Sequence, residues 1–312
     1  MHLSKNSAAA RATLAAALIS SSLMASAAPE APLQKADCGT VERHVLFSPE
    51  LGDSVRLDIW LPEHYNPANA DRYPVIYMHD GQNLYDRNST WNGQAWEMDS
   101  VCCRMIAAGE ITTPVIVGIH SDPAIRASEL LPVKALTNAA LEQFFERPKM
   151  RNVPVLGDKY VEFVVNTLKP WVDTNYSTLP DRGNTMVMGS SMGGLMSLYL
   201  ICERPDVFGS AGCVSIHWST TRDENDGFGN GMLNYVRTSL PDPATHKIYF
   251  DCGTETIDTN YAPWLEKAVK IAEEKGYRPG ENLDSYVDEG AAHTETAWAA
   301  RVNRPLRFML GK

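Results

Sequence analysis

Basic residues are scarce and scattered. The 312-residue chain carries 28 Lys and Arg against 38 Asp and Glu, a formal net charge of −10 at pH 7. It has no Lys/Arg cluster, so nucleic acid is not an expected partner. Past residue 24 no apolar run is long enough to span a bilayer, and no membrane-embedded segment is expected there. The cysteines form no CxxC and the histidines no HxxxH, so neither a metal site nor any other cofactor is implied. There is no tandem repeat and no low-complexity tract of the kind found in solenoids or disordered chains.

What is present begins with an export pattern. Lys5 and Arg11 supply a basic region, Thr13 to Met24 an apolar stretch, and Ala25-Ser26-Ala27 an A-x-A cleavage site followed by Ala28-Pro29. Residues 1–27 are therefore expected to be a signal peptide and 28–312 one domain, secreted or periplasmic. Losing Lys5 and Arg11, with no acid in that stretch, takes the charge from −10 to −12. The six cysteines are Cys38, Cys102, Cys103, Cys202, Cys213 and Cys252. An exported protein is able to oxidise them, and adjacent Cys102-Cys103 are expected to find distant partners rather than each other. Cys202, Cys213 and Cys252 fit either disulfide pairing or burial as small apolar residues.

Alternating patterns predict strands over Val41–Ser48 and Ser54–Leu61, joined by a turn at Pro49-Glu50-Leu51-Gly52-Asp53. Nearly continuous apolar runs predict buried strands over Pro74–His79, Pro114–His120, Asn184–Gly189, Gly212–Ile216 and Lys247–Cys252, with a last strand over Asn282–Asp288. Helical patterns cover Asp158–Tyr176, with a kink expected at Pro170, and Met192–Cys202, Ala262–Lys275 and Thr294–Leu310. The alternation predicts an α/β fold. Its mainly parallel sheet has helices on both faces and an antiparallel hairpin at its N-terminal edge. Ser121–Arg151 and Ser219–Asp242 are polar and long for loops, which marks them as insertions or lids near a site.

The chemistry centres on Gly189-Ser190-Ser191-Met192-Gly193, a G-x-S-x-G pattern between a buried strand and a helix. Such a turn holds its serine in strained backbone at the apex, and the flanking glycines give clearance. The register selects Ser191 over Ser190. A serine needs a base to take its proton. In the chain order of this sheet type the base lies downstream, and His293, in the loop Asp288–Thr294, fits. His246 precedes its strand and lies at the wrong end. The acid is expected after the strand Ile248–Phe250, where Asp258 is favoured and Glu255 stays open; Asp251 lies inside the strand run. The oxyanion would be bound by two backbone N–H groups, one from Met192 and one from Gln82 in the loop His79–Asp86. Tyr85, Trp91, Trp96, Trp218 and Trp298 are candidates for an aromatic wall; His217-Trp218 is the best pocket candidate because it follows a strand end, with Trp218 the choice for a substrate-binding residue.

With these residues in place, the chain resembles the esterase family of the α/β-hydrolase fold. That family includes enterochelin, feruloyl and acetylxylan esterases, S-formylglutathione hydrolase and the mycolyltransferase antigens. The resemblance runs over about residues 40–310. It is carried by Tyr77–Asp86, Tyr160–Tyr176, Gly189–Gly194, Phe250–Glu255 and Glu289–His293. It implies a serine carboxylic ester hydrolase acting on a small-molecule or carbohydrate ester, acetyl or feruloyl. A siderophore esterase and an acyltransferase on the same triad are the alternatives. A non-catalytic binding module is disfavoured, since each catalytic position holds a competent residue.

Overall fold

The computed structural model describes residues 32–137, 153–219 and 221–312. The expected signal peptide and residues 138–151 of the expected insertion lie outside them. Leu33–Lys312 is one compact unit.

Among the described residues, eight strands form one sheet in the order β1-β2-β4-β3-β5-β6-β7-β8. They are β1 Thr40–Ser48, β2 Asp53–Leu61, β3 Val75–His79, β4 Val115–Ile119, β5 Thr185–Ser190, β6 Ser210–Val214, β7 Lys247–Gly253 and β8 Leu283–Asp288. The first two pair antiparallel, β2 runs antiparallel to β4, and every later pairing is parallel. The expected strands are all present. The sixth sits two residues earlier than its apolar run, because Ser215 and Ile216 already belong to the turn beyond the strand end.

Period-two alternation divides the core into two layers. Val75, Tyr77, Val115, Val117 and Val187 join one cluster, and Ile76, Met78, Ile116, Met186 and Met188 the other. The second cluster is closed by α1 (Met98–Ala107) and the two C-terminal helices, and the remaining long helices pack into the first. With helices on both faces no side chain of β3 to β6 meets water, so those strands read as unbroken apolar runs.

After the one-turn helix α2 (Arg126–Glu129), the long helical pattern forms as α3 (Gly157–Glu162), a π-helical stretch Phe163–Leu168, and α4 (Lys169–Asn175). The break expected at Pro170 thus takes the form of a widened turn just ahead of it, where a residue without an N–H costs least. Helix α5 (Met192–Glu203) follows β5. Helix α6 (Gly227–Ser239) corrects the reading of Ser219–Asp242 as an irregular insertion. Its three early glycines hid it, yet Met232, Leu233, Tyr235 and Val236 are its buried face. A side chain at Gly229 would come within 2.6 Å of Trp264. Helix α7 spans Ala262–Glu274, and the last pattern divides at Val302 into α8 (Glu295–Arg301) and α9 (Asn303–Leu310).

Cys38 is bonded to Cys103, a distant partner as expected, while Cys102, Cys202, Cys213 and Cys252 are free and buried. The bond closes a loop across a separation of 65 residues. Replacing both bonded cysteines by serine is expected to lower unfolding stability by about 4 kcal/mol, measured as a fall in the urea midpoint. At the end of β3, burial pushes the His79 imidazole down from 6.5 to about 4, and its Nδ1 lies 2.8 Å from the Tyr160 hydroxyl. A neutral buried histidine contributes stability above its ordinary value that is lost as pH falls from about 6.5 to about 4. In a pH series of urea melts, His79→Gln is expected to flatten that part of the slope.

Candidate active site

Ser191 stands between β5 and α5 with φ 57° and ψ −121°, a conformation that L residues rarely adopt. Three contacts hold it there. Its N–H donates to the Val214 carbonyl at 3.0 Å, and its carbonyl accepts from Leu195 at 3.1 Å and His217 at 3.2 Å. The flanking glycines are needed for close packing. A Cβ on Gly189 would sit 2.9 Å from the Gly193 backbone and 3.0 Å from His79. One on Gly194 would sit 3.0 Å from the Val214 carbonyl. The strained apex is thus pressed between β3 and β6, and its serine is partly exposed.

The loop after β8 brings His293 to the end of β7. Gly253 allows this, since any Cβ there would fall 2.2 Å from the Ala291 carbonyl. That carbonyl accepts the N–H groups of Thr254 at 3.1 Å and Glu255 at 3.0 Å. His293 N–H donates to Thr256 Oγ1 at 2.9 Å, and its ring stands edge-on to Trp298 and Tyr261. Its Nδ1 lies 2.5 Å from Asp258 Oδ1. An ionised carboxylate only accepts, so Nδ1 carries the hydrogen and Nε2 is left as the basic nitrogen.

Asp258, in the one-turn helix Thr256–Asn260, is wholly buried, whereas Glu255 is exposed at the start of that turn. The structure therefore brings Asp258, and not Glu255, to His293. The other Asp258 oxygen accepts from Ser215 Oγ at 2.6 Å and Gly253 N–H at 2.6 Å. Burial alone would raise this carboxyl; the His293, Ser215 and Gly253 donors outweigh it and hold it below the usual carboxylate range. Ser215 was not singled out from the sequence. Its hydroxyl also accepts from Trp298 Nε1 at 2.9 Å and an Arg301 guanidinium nitrogen at 2.7 Å. Arg301 pairs with Asp251 at 3.1 Å, giving the buried strand aspartate a structural partner. His246 lies at the opposite end of β7, 2.8 Å from the Pro205 carbonyl.

The loop after β3 turns through Asp80 (φ 57°) into a short 3-10 turn, Gly81–Asn83. Gly81 presses on β4, where a Cβ would stand 2.4 Å from Gly118. Gln82 is fixed by its side chain, which donates to Ser121 Oγ at 3.0 Å and accepts from Ser121 N–H at 3.1 Å. Asp80 binds Arg126 in a two-point pair at 2.6 and 2.7 Å and accepts from Ser121 Oγ at 2.7 Å. Burial raises the Asp80 carboxyl, but Arg126 and Ser121 hold it lower still, so it is ionised. A Cβ on Gly193 would be 3.1 Å from His79 and 3.6 Å from Asp80, so this loop lies alongside the Ser191 turn. Met192 opens α5, where the first N–H groups have no partner within the helix.

Trp218 is a correction. It is 0% exposed, packs on Phe250 within the core, and offers no surface to a substrate. His217, the other half of that strand-end candidate, is partly exposed, and its Nδ1 lies 2.6 Å from the Tyr261 hydroxyl. Tyr85, Trp96 and Trp298 are also buried, and Trp91 alone of the five aromatic candidates is open to solvent, at 85%.

Among solved structures, a ferulic acid esterase superposes with TM-score 0.62 at 19% identity, covering 87% of this chain and 98% of that one. An enterobactin esterase from Shigella flexneri gives 0.63 at 18%, covering 90% of this chain and 63% of that one. At such identities the likeness establishes the α/β-hydrolase-type fold. Among curated proteins, an uncharacterized protein, YbbA, of Bacillus subtilis is 21% identical over 82% of this chain and 93% of its own length. The endo-1,4-beta-xylanase/feruloyl esterase of Xylanibacter ruminicola is 23% identical over 83% of this chain, which spans only 30% of that protein. The ferri-bacillibactin esterase BesA of Bacillus subtilis is 30% identical over 52% of this chain and 54% of its own length. The pattern of the family described as “Putative esterase” matches residues 48–309, and the chain belongs to that family of ester hydrolases.

Proposed function

We propose that the protein hydrolyses an extracytoplasmic carbohydrate ester, acetyl or feruloyl, through an acyl-enzyme on Ser191. The observation that carries this reading is the Asp258–His293 contact of 2.5 Å in a chain whose serine turn has the strained backbone of a nucleophile. His293 Nε2 takes the Ser191 Oγ proton as Oγ attacks the ester carbonyl. The charge on the carbonyl oxygen is met by the Met192 and Gln82 N–H groups. The imidazolium then returns the proton to the departing alcohol, and water repeats the sequence on the acyl-enzyme. Asp258 keeps the imidazole in the right tautomer and stabilises its charged form.

The carbohydrate assignment rests on the feruloyl esterase relatives and on charge. Groups on and around the loop after β3 are amides, hydroxyls and carboxylates: Gln82 bonds Ser121, and Asn83 and Asn92 bond Glu295. The Arg126 guanidinium is engaged by Asp80. A neutral, hydroxyl-rich ester suits such surroundings better than the multiply negative ferric complex a siderophore esterase must bind. The export pattern and the oxidised Cys38–Cys103 pair support a location outside the cytoplasm.

Ser191→Ala is expected to abolish turnover of p-nitrophenyl acetate and labelling by a fluorophosphonate; retained activity would sink the assignment. Asp258→Asn, which leaves the imidazole in the wrong tautomer, is expected to lower kcat by about 10⁴-fold. A panel of acetyl, feruloyl and tricatechol esters, run with and without an added alcohol acceptor, should favour the first two and yield free acid. Preference for the tricatechol ester, or transfer to the acceptor, would replace the substrate assignment. The lowered Asp258 carboxyl contributes stability that is whole above the ordinary carboxylate range and is lost as pH falls through it. Ser215→Ala removes one donor to that carboxylate. The acid limb of kcat/KM is therefore expected to move to higher pH, and an unmoved limb would show that the hydroxyl does not tune the pair.

A further inference from the structure

The segment ahead of β1 contains a buried amide that the chemistry above does not use. Gln34 is 2% exposed. Its Nε2 donates to the Gly81 carbonyl at 2.7 Å and to Asp58 Oδ2 at 2.7 Å, and its Oε1 accepts from Tyr85 N–H at 3.0 Å. One side chain thus grips the loop after β3 at both ends, Gly81 and Tyr85. Its anchor is firm. Asp58 is 0% exposed in the middle of β2, held by Arg43 at 2.6 and 2.7 Å and by His120 at 2.9 Å. The segment is tethered next to Gln34. Asp37 N–H donates to Asp99 at 2.6 Å, the Cys38 carbonyl accepts from Trp60 at 2.7 Å, and Cys38 is bonded to Cys103.

The Gly81 carbonyl and the Gln82 N–H belong to one peptide group. That group is planar and trans, so the two bonds point in opposite directions. Whatever holds the carbonyl also aims the N–H. A hydrogen bond accepted by the carbonyl further polarises the N–H of the same group and makes it the stronger donor. We propose that Gln34 is a positioning residue for ester hydrolysis: by holding the Gly81 carbonyl it orients the Gln82 N–H toward the oxyanion. The inference rests on the reading of Ser191 as nucleophile and Gln82 as oxyanion donor. Gln34 itself touches no reacting atom.

The test is Gln34→Met, which keeps the length of the side chain and removes all three hydrogen bonds. Turnover of p-nitrophenyl acetate is measured per active site titrated with a fluorophosphonate, so a loss of folded protein does not count. The expected result is a fall in kcat per site of about tenfold or more, with KM nearly unchanged. Affinity for a trifluoromethyl ketone, whose adduct mimics the oxyanion, should fall by the same factor. Gln34→Leu serves as the second variant if the first does not fold. It is apolar and branched rather than straight, leaves the Gly81 carbonyl without its donor, and the same loss is expected. Unchanged kcat per titrated site in whichever variant folds would overturn the proposal and leave Gln34 a structural residue, even with a lowered melting temperature. Ser191→Ala run in parallel separates the two levels. If it is inactive while the Gln34 variant matches wild type, only the positioning role fails. If it retains turnover, the catalytic reading fails and takes the positioning role with it.

Discussion

The Asp258–His293 contact depends on bringing the ends of β7 and β8 closer than side chains would normally permit. Gly253 and the Ala291 carbonyl meet where no Cβ could fit, and two N–H groups just past the end of β7 staple that carbonyl in place. Once the two strand ends are locked, the histidine loop has little freedom. Its ring falls between Tyr261 and Trp298, and its Nδ1 meets a carboxylate that burial has made unable to relax toward water. The carboxylate is tolerable in the core because donors surround it, and one of them, Ser215, is itself held by Arg301 and Trp298. A buried acid held by three donors is rigid, and rigidity is what orientation of an imidazole requires.

The turn carrying Ser191 obeys the same principle with different parts. Its glycines do not confer mobility. They let β3, β5 and β6 crowd the serine so closely that its unfavourable backbone angles are imposed from three sides. The loop alongside it is fixed by charge, through Asp80 and Arg126, and by the paired bonds between Gln82 and Ser121. Both halves of the site are thus preorganised by contacts lying outside the groups that would touch a substrate.

Much of this was legible in the sequence, for identifiable reasons. Buried parallel strands advertise themselves as unbroken apolar runs, and the serine turn has a local pattern because its constraints are local. Asp258 was favoured over Glu255 only narrowly, since a short 3-10 turn decides which carboxylate faces inward and such a turn leaves no periodic trace. Trp218 was misplaced because its strand ends two residues earlier than the apolar run, which carries the tryptophan into the core. Helix α6 was hidden by its glycines, one of which, Gly229, makes room for Trp264 of α7. Ser121 and Arg126 lie in a stretch marked as near a site, but nothing singled them out within it; Ser215 and Gln34 had no signal at all, since each acts through partners tens of residues away.

Cys102 and Cys103 are neighbours with identical chemistry, yet only one is bonded. On an α-helix, adjacent residues project about 100° apart. Cys102 faces the interior as a wholly buried thiol, while Cys103 meets the segment that carries Cys38. The helix therefore sorts the two sulfurs by geometry rather than by reactivity. A chain oxidised before α1 has formed offers Cys38 two equivalent partners, and the wrong choice would draw a core residue outward.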